Sequence, residues 1–294
     1  MATAAQWLEG ARPRTLPMAL APVIIGSAAA YGLASFRPLG AVLAAVVSVL
    51  LQVGVNYAND YSDGIRGTDD ARVGPLRLTG SRAAQPGAVK RAAFLCFGGA
   101  MVAGLALVIL AEAWPLILVG LVCVAAAWGY TGGKNPYGYR GLGDVFVFVF
   151  FGLVATLGTT FTQAGQLSGA AWIGAVCSGL IATALLMANN VRDIPTDREV
   201  GKRTLAVRLG DRRARLSYVL MLAVAVLLPL ALAPVYPWIL LVLILVPACV
   251  APSRLMLQGQ QRQSLIPVLK QTGLLGLAFS IVFAAGLVLT TVMS

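Results

Sequence analysis

An all-α protein that crosses a membrane nine times is the fold class this sequence predicts. Three observations carry that expectation. Hydrophobic residues make up 59% of the 294, and charged residues 11%, against about 25% charged in a soluble domain. Mean hydropathy is +0.83. The apolar residues run in continuous stretches, most near the roughly 20 residues a helix needs to cross hydrocarbon, without the alternation of a barrel strand.

The segments follow in order. The first, 17–34, comes after Arg12 and Arg14 and ends in small residues near Ser27 to Ala30, as a secretory signal would. Its apolar stretch exceeds a usual signal core, so it is read as a retained helix. The second, 39–58, ends in a cluster of Asn56, Asn59, Asp60 and Asp63. The third, 91–111, joins the fourth, 115–130, through a short turn whose Trp114 suits a membrane interface. The fourth is short and ends in Tyr130-Thr131-Gly132-Gly133-Lys134. The fifth, 145–162, opens on a phenylalanine-rich stretch from Phe146 to Phe151. The sixth, 170–189, ends in a second cluster of Asn189, Asn190, Arg192, Asp193 and Asp197. The seventh, 216–233, meets the short eighth, 237–251, at a turn containing Tyr236, and 269–292 is the ninth. No Ser-, Gly- or Pro-rich linker divides the chain, so one domain spans 1–294.

Charge tests the count. Nine crossings gather 21 of the 22 Lys and Arg residues on one side, with Arg37 alone opposite, and 10 of the 11 acids, with Glu112 alone opposite. The positive-inside rule makes that side cytoplasmic, with the N-terminus inside and the C-terminus outside.

Several function classes fall away. The net charge of +11 sits in short juxtamembrane loops, where topology and anionic lipid or substrate explain it better than nucleic acid does. Cys96, Cys123, Cys177 and Cys249 lie inside apolar segments with no CxxC pair, so no disulfide framework or zinc site is indicated. There is no His, which removes His-based catalysis. A transporter would place its acids near the bilayer midplane on broken helices, whereas these cluster at one face. A CDP-alcohol phosphotransferase would share Asp60-x-x-Asp63-Gly64 but needs downstream aspartates at close spacing that this chain lacks.

The acid clusters carry the chemistry. Two long cytoplasmic loops, 59–89 and 190–215, each follow one of them, and the clusters form a weak repeat about 130 residues apart. Four helices per repeat fits two facing four-helix bundles plus one helix. Asn56, Asp60 and Asp63 at i, i+4, i+7 share one helical face, as do Asn190, Asp193 and Asp197 at i, i+3, i+7, although Pro195 interrupts regular helix bonding. Stacked carboxylates repel unless a cation lies between them. All-oxygen ligands suit Mg²⁺, and Mg²⁺ on carboxylates points to a phosphate-bearing substrate. Arg66, Arg72, Arg77, Arg192, Lys202 and Arg203 lie nearby, and the glycines beside Lys134 permit close approach of an anion.

Asn59-Asp60-x-x-Asp63 and Asp193-x-x-x-Asp197, with Tyr130-x-x-x-Lys134 between them, resemble the UbiA superfamily of intramembrane prenyltransferases over essentially the whole chain. Within it the chain is most similar to members that prenylate 1,4-dihydroxy-2-naphthoate. The stretches 11–17, 56–69, 72–77, 130–134, 189–197 and 204–210 carry that likeness. The Ala- and Arg-rich composition is similar to that of actinobacterial members. One departure is Gly67, where the superfamily often has a third Asp; Asp69 and Asp70 follow it. The resemblance implies a bacterial plasma-membrane enzyme of menaquinone biosynthesis that uses a polyprenyl diphosphate donor and Mg²⁺. It also implies Asp60, Asp63, Asp193 and Asp197 as metal ligands, with Lys134 catalytic beside them. Asn56, Asn59, Arg66, Arg72, Arg77, Tyr130, Asn190 and Lys202 would bind substrate. Other superfamily members act on 4-hydroxybenzoate or homogentisate, and the acceptor pocket is not legible from the sequence.

Overall fold

The computed structural model describes residues 2–67, 76–259 and 262–293. Arg72, Asp69 and Asp70 lie outside the described residues. Among the described residues the chain is all helix and turn, with no strand.

A short helix α1 (Ala4–Ala11) starts at a capping box, in which the Thr3 hydroxyl and the Gln6 side chain bond each other's backbone N–H. It leads into α2 (Leu16–Gly32), α3 (Pro38–Ile65), α4 (Pro86–Ala111) and α5 (Leu116–Gly129). After a 3₁₀ turn at Tyr137–Arg140 come α6 (Gly143–Ala164) and α7 (Gly169–Glu199). One turn at Leu205–Leu209 precedes α8 (Asp211–Leu232), α9 (Pro237–Leu257) and α10 (Gln263–Met293). Eight helical stretches are long and apolar enough to cross a membrane, the first running Ala4–Gly32. The fourth expected segment is α5, with 14 residues, shorter than the other eight.

Two helix ends differ from the sequence expectation. Helix α3 continues to Ile65 and α7 to Glu199, each past the end of its apolar run. Pro195 does not stop α7. It lies in the last turns of the helix, where its exposed ring meets little.

Two large apolar cores hold the helices, with a smaller third of Val23, Ala44 and Leu107 between α2, α3 and α4. One joins α2, α7, α8 and α10 through Ile25, Ile181, Met187, Tyr218, Phe279 and Phe283. The other joins α1, α3 and α4 through Tyr57, Phe97 and Leu78, the last of these on the loop before α4. Helices α3 and α4 pack closely because Gly54 lets Phe97 in: a Cβ there would lie 2.5 Å from its ring. The outer faces stay apolar, with Leu95, Val102, Leu118 and Ile244 all exposed. A water-facing surface would not carry large aliphatic side chains in that density, whereas lipid accepts them.

Helix α6 contains a π-helical stretch at Phe148–Val154. Its Gly152 faces Gly179 of α7, where a Cβ on Gly152 would lie 2.5 Å from the Gly179 Cα. This contact brings α6 against α7, and the loop that precedes α6 therefore lies near the polar end of α7.

Candidate active site

The polar end of α3 presents one buried face. Asn56, Asn59, Asp60 and Asp63 are each less than a tenth exposed. Asn56 ties the α1–α2 junction to α3: its Nδ2 donates to the Ala11 carbonyl at 2.9 Å and to Thr15 Oγ1 at 3.1 Å. Asn59 Oδ1 accepts from the Thr131 hydroxyl at 2.8 Å.

The Asp60 carboxylate is taken up by the returning loop. Oδ2 accepts from the Leu78 N–H at 2.7 Å and Oδ1 from the Thr79 N–H at 2.8 Å. Two backbone donors on one carboxylate are a strong, charge-assisted pairing. The cation expected between Asp60 and Asp63 is thus matched on the Asp60 side by peptide dipoles. Arg77 immediately precedes this pair of donors.

Asp63 turns to another partner. Its Oδ1 accepts from the Tyr139 hydroxyl at 2.7 Å. One turn later, the Arg66 guanidinium donates to the Thr131 and Gly133 carbonyls. Arg66 therefore anchors the Tyr130–Lys134 loop through its backbone, and it also lies 5.4 Å from the centre of the Tyr139 ring.

The end of α7 approaches the same tyrosine. Asp193 is gripped by Arg192, with Nε–Oδ1 and Nη2–Oδ2 both at 2.7 Å. Asp197 Oδ1 lies 3.7 Å from the Lys202 ammonium. That ammonium sits 5.1 Å from the centre of the Tyr139 ring. Asn190 is buried one turn before Asp193. The two acidic clusters thus meet across Tyr139, which bonds Asp63 through its hydroxyl and stacks Lys202 against its face.

Tyr130 and Lys134 occupy the loop after α5. The Tyr130 carbonyl accepts from the Gly138 N–H at 3.0 Å, and its ring packs edge-on to Tyr137 at 5.5 Å. The Tyr137 hydroxyl donates to the Ala126 carbonyl at 2.8 Å, and burial pushes its proton affinity up. Tyr137 also stacks on Phe146 at 3.9 Å, which continues toward Phe150. The phenylalanine-rich start of α6 is therefore joined by ring stacking to the loop that holds Lys134. Lys134 itself is exposed.

Spacing did not point to Tyr139, Thr131 or Asp144. Asp144 is buried at the start of α6, and among the described residues neither carboxyl oxygen has a hydrogen-bond partner. A run of Tyr, Gly and Pro after Lys134 was the only sequence signal for Tyr139. Its long-range partners lie 76 residues away at Asp63 and some 60 residues on at Lys202.

Among the described residues, no three acids converge as a ready metal cage. The donor set still suits Mg²⁺, which is commonly held by one or two carboxylates together with substrate phosphates and waters. Two separate carboxylate pairs on facing helix ends fit that style of binding better than a closed protein cage.

The UbiA prenyltransferase family model matches residues 19–270. The chain belongs to the UbiA prenyltransferase family. It is 50% identical over 290 residues to a Mycobacterium tuberculosis protein described as 1,4-dihydroxy-2-naphthoate octaprenyltransferase, covering 98% of both chains. An Escherichia coli protein of the same description is 38% identical over 294 residues, with 97% of this chain and 95% of the relative covered. The solved structure of a UbiA homologue from Archaeoglobus fulgidus bound to GPP and Mg²⁺ superposes with a TM-score of 0.67 at 14% identity, covering 96% of this chain and 99% of that one. At that identity the likeness is one of fold. UbiA membership accounts for the all-helical membrane architecture.

Proposed function

We propose that this UbiA-family protein transfers a polyprenyl group from a polyprenyl diphosphate to 1,4-dihydroxy-2-naphthoate. Carbon dioxide and diphosphate leave, and demethylmenaquinone forms for menaquinone biosynthesis. The meeting of two acidic helix ends at Tyr139 supports the reaction class. The acceptor rests on the near-full-length likeness to relatives of that description.

The chemistry needs charge at one end and dryness at the other. The allylic carbon–oxygen bond breaks, and the diphosphate leaves with the electron pair. Mg²⁺ held by Asp60, Asp63, Asp193 and Asp197 would supply neutralisation of the charge on that leaving group. Lys134 and Lys202 would add positive charge where it develops, a role the sequence also suggests for Arg72. Arg66 holds the Lys134 loop by its carbonyls, which fixes the backbone that carries Lys134. Asn56 and Asn59 fix the polar end of α3 against the neighbouring segments, while Tyr130, Arg77 and Asn190 complete the substrate surroundings. The aromatic series Tyr137, Phe146 and Phe150 keeps water from the allylic cation until a ring carbon of the acceptor attacks.

The protein acts as one integral-membrane unit in a bacterial plasma membrane, with its N-terminus and the site on the cytoplasmic side and its C-terminus outside. The charge partition supports this orientation.

An assay on membranes tests the reading. A prenyl diphosphate is offered with 1,4-dihydroxy-2-naphthoate, 4-hydroxybenzoate or homogentisate, and products are identified by mass. Demethylmenaquinone is expected with dihydroxynaphthoate, and EDTA should stop its formation until Mg²⁺ is returned. Product from another aromatic acid alone would move the acceptor elsewhere in the family.

A further inference from the structure

Beside the acid clusters lies a second polar feature, which shares Lys134 and Tyr139 with the reaction site but none of its acids. A cleft of about 500 Å³ opens between the loop after α5 and the loop after α7. Lys134, Arg140, Arg203 and Arg208 line it, together with Asn135 and Tyr139. No acid lines it, and none of the four aspartates reaches it.

Nearby cations are already used within the protein. Arg192 grips Asp193, Lys202 faces Asp197, and Arg66 donates to two carbonyls. The cleft cations are placed differently. Among the described residues, the side chains of Lys134, Arg140 and Arg203 have no hydrogen bond or ion pair. Arg208 spends one nitrogen on the Arg140 carbonyl, at 2.7 Å.

Backbone contacts hold these walls in position. The Arg203 N–H donates to the Tyr139 carbonyl at 2.9 Å. Gly141 has φ +76, and a Cβ there would lie 2.8 Å from Arg208 Nε and 3.0 Å from the Arg203 carbonyl. The backbones that carry four like charges thus meet around one cleft, at a glycine that lets the loops touch. Like charges repel and would splay in solution. Preorganised guanidinium groups match phosphate oxygens in paired hydrogen bonds.

We propose that this cleft binds a phosphate-bearing anion at a site separate from the aspartate clusters, and that Arg140 and Arg208 are its recognition groups. Two sources offer that chemistry: free diphosphate, which is a product if the reaction proposed above is correct, and the headgroup of an anionic lipid. Tyr139 is a wall common to the cleft and the reaction site, so the two positions are neighbours.

Binding is measured without prenyl donor or acceptor, so that its outcome is independent of the reaction assignment. Full-length protein is placed in nanodiscs of phosphatidylcholine and titrated with inorganic diphosphate in the absence of divalent metal. A parallel sample in nanodiscs containing phosphatidylglycerol is analysed for retained lipid by native mass spectrometry. Arg140→Gln and the double variant Arg140→Gln with Arg208→Gln are compared with the parent. Loss of diphosphate affinity by about tenfold or more for each removed guanidinium assigns the cleft to free diphosphate. Loss of retained phosphatidylglycerol alone assigns it to the lipid headgroup. If Arg140→Gln, whose side chain has no partner to lose among the described residues, leaves both bindings unchanged, the proposal is overturned. Initial prenyl-transfer rates of the same variant, measured before product accumulates, should stay near the parent value, whereas inhibition by added diphosphate weakens.

Discussion

The hydroxyl of Tyr139 donates a 2.7 Å hydrogen bond to Oδ1 of Asp63. The same ring carries the Lys202 ammonium 5.1 Å above its centre, and Lys202 in turn faces Asp197. One side chain therefore spans two acid clusters that lie on different helices.

Tyr139→Phe removes the hydroxyl and keeps the ring under its cations. A hydrogen bond to a charged group contributes about 1.5–3 kcal/mol. Prenyl transfer should fall roughly 10- to 100-fold, and the melting temperature should fall as well. Steady-state kinetics on purified protein measure this, and an unaltered rate would remove Tyr139 from the site.

Asp60→Asn should affect stability as well as turnover. Its carboxylate accepts the Leu78 and Thr79 N–H groups, and an amide can accept only one of them while presenting its own donors to the other. A destabilisation of about 1–3 kcal/mol follows from the donor left without an acceptor. Transfer should nearly vanish while membrane insertion persists. Thermal unfolding in detergent, read beside activity, separates the two effects. Parent-like turnover would defeat a role for Asp60 in the reaction.

Gly141→Ala strains the seam between the two loops. Positive φ disfavours a Cβ, and this Cβ meets Arg208 and the Arg203 carbonyl. A cost of about 1–3 kcal/mol is expected, with faster proteolysis at the 134–141 and 200–208 loops. Limited proteolysis followed by mass mapping is the check, and identical cleavage rates would mean the loops are not held by this contact.

Asp144→Asn should raise stability. Among the described residues the buried Asp144 carboxyl has no hydrogen-bond partner, and a carboxyl that can ionise there costs more to bury than a neutral amide of the same shape. An increase of about 1 kcal/mol would show as a higher midpoint in thermal or denaturant unfolding. A lower midpoint would mean the carboxylate has a stabilising role that its surroundings do not reveal.

The helices were legible because lipid solvation demands long apolar runs, and those runs end where the charges begin. Hydropathy stopped short at 58 and 189, although the helices continue to Ile65 and Glu199. Helical hydrogen bonding does not depend on side-chain polarity, and polar residues of those last turns are buried against other segments. The spacing of Asp60 with Asp63 and of Asp193 with Asp197 was equally visible. The capping of Asp60 by the 78–79 backbone was not, because a loop's path leaves no periodic trace. Tyr139 was hidden for a similar reason: its importance lies in contacts with Asp63 and Lys202, far away along the chain.

Helices α3 and α7 have 28 and 31 residues, which at about 1.5 Å per residue makes them roughly 42 and 46 Å long. The hydrocarbon layer is about 30 Å thick. Each helix therefore overhangs the oily layer by about 10–15 Å, and the acids ride on that overhang like fittings on a mast. A thinner or thicker bilayer slides along the shaft below them. The distance between the Asp63 and Asp197 ends is set by protein contacts at Tyr139, so the spacing of the two acid clusters is insulated from the lipid composition of the host membrane.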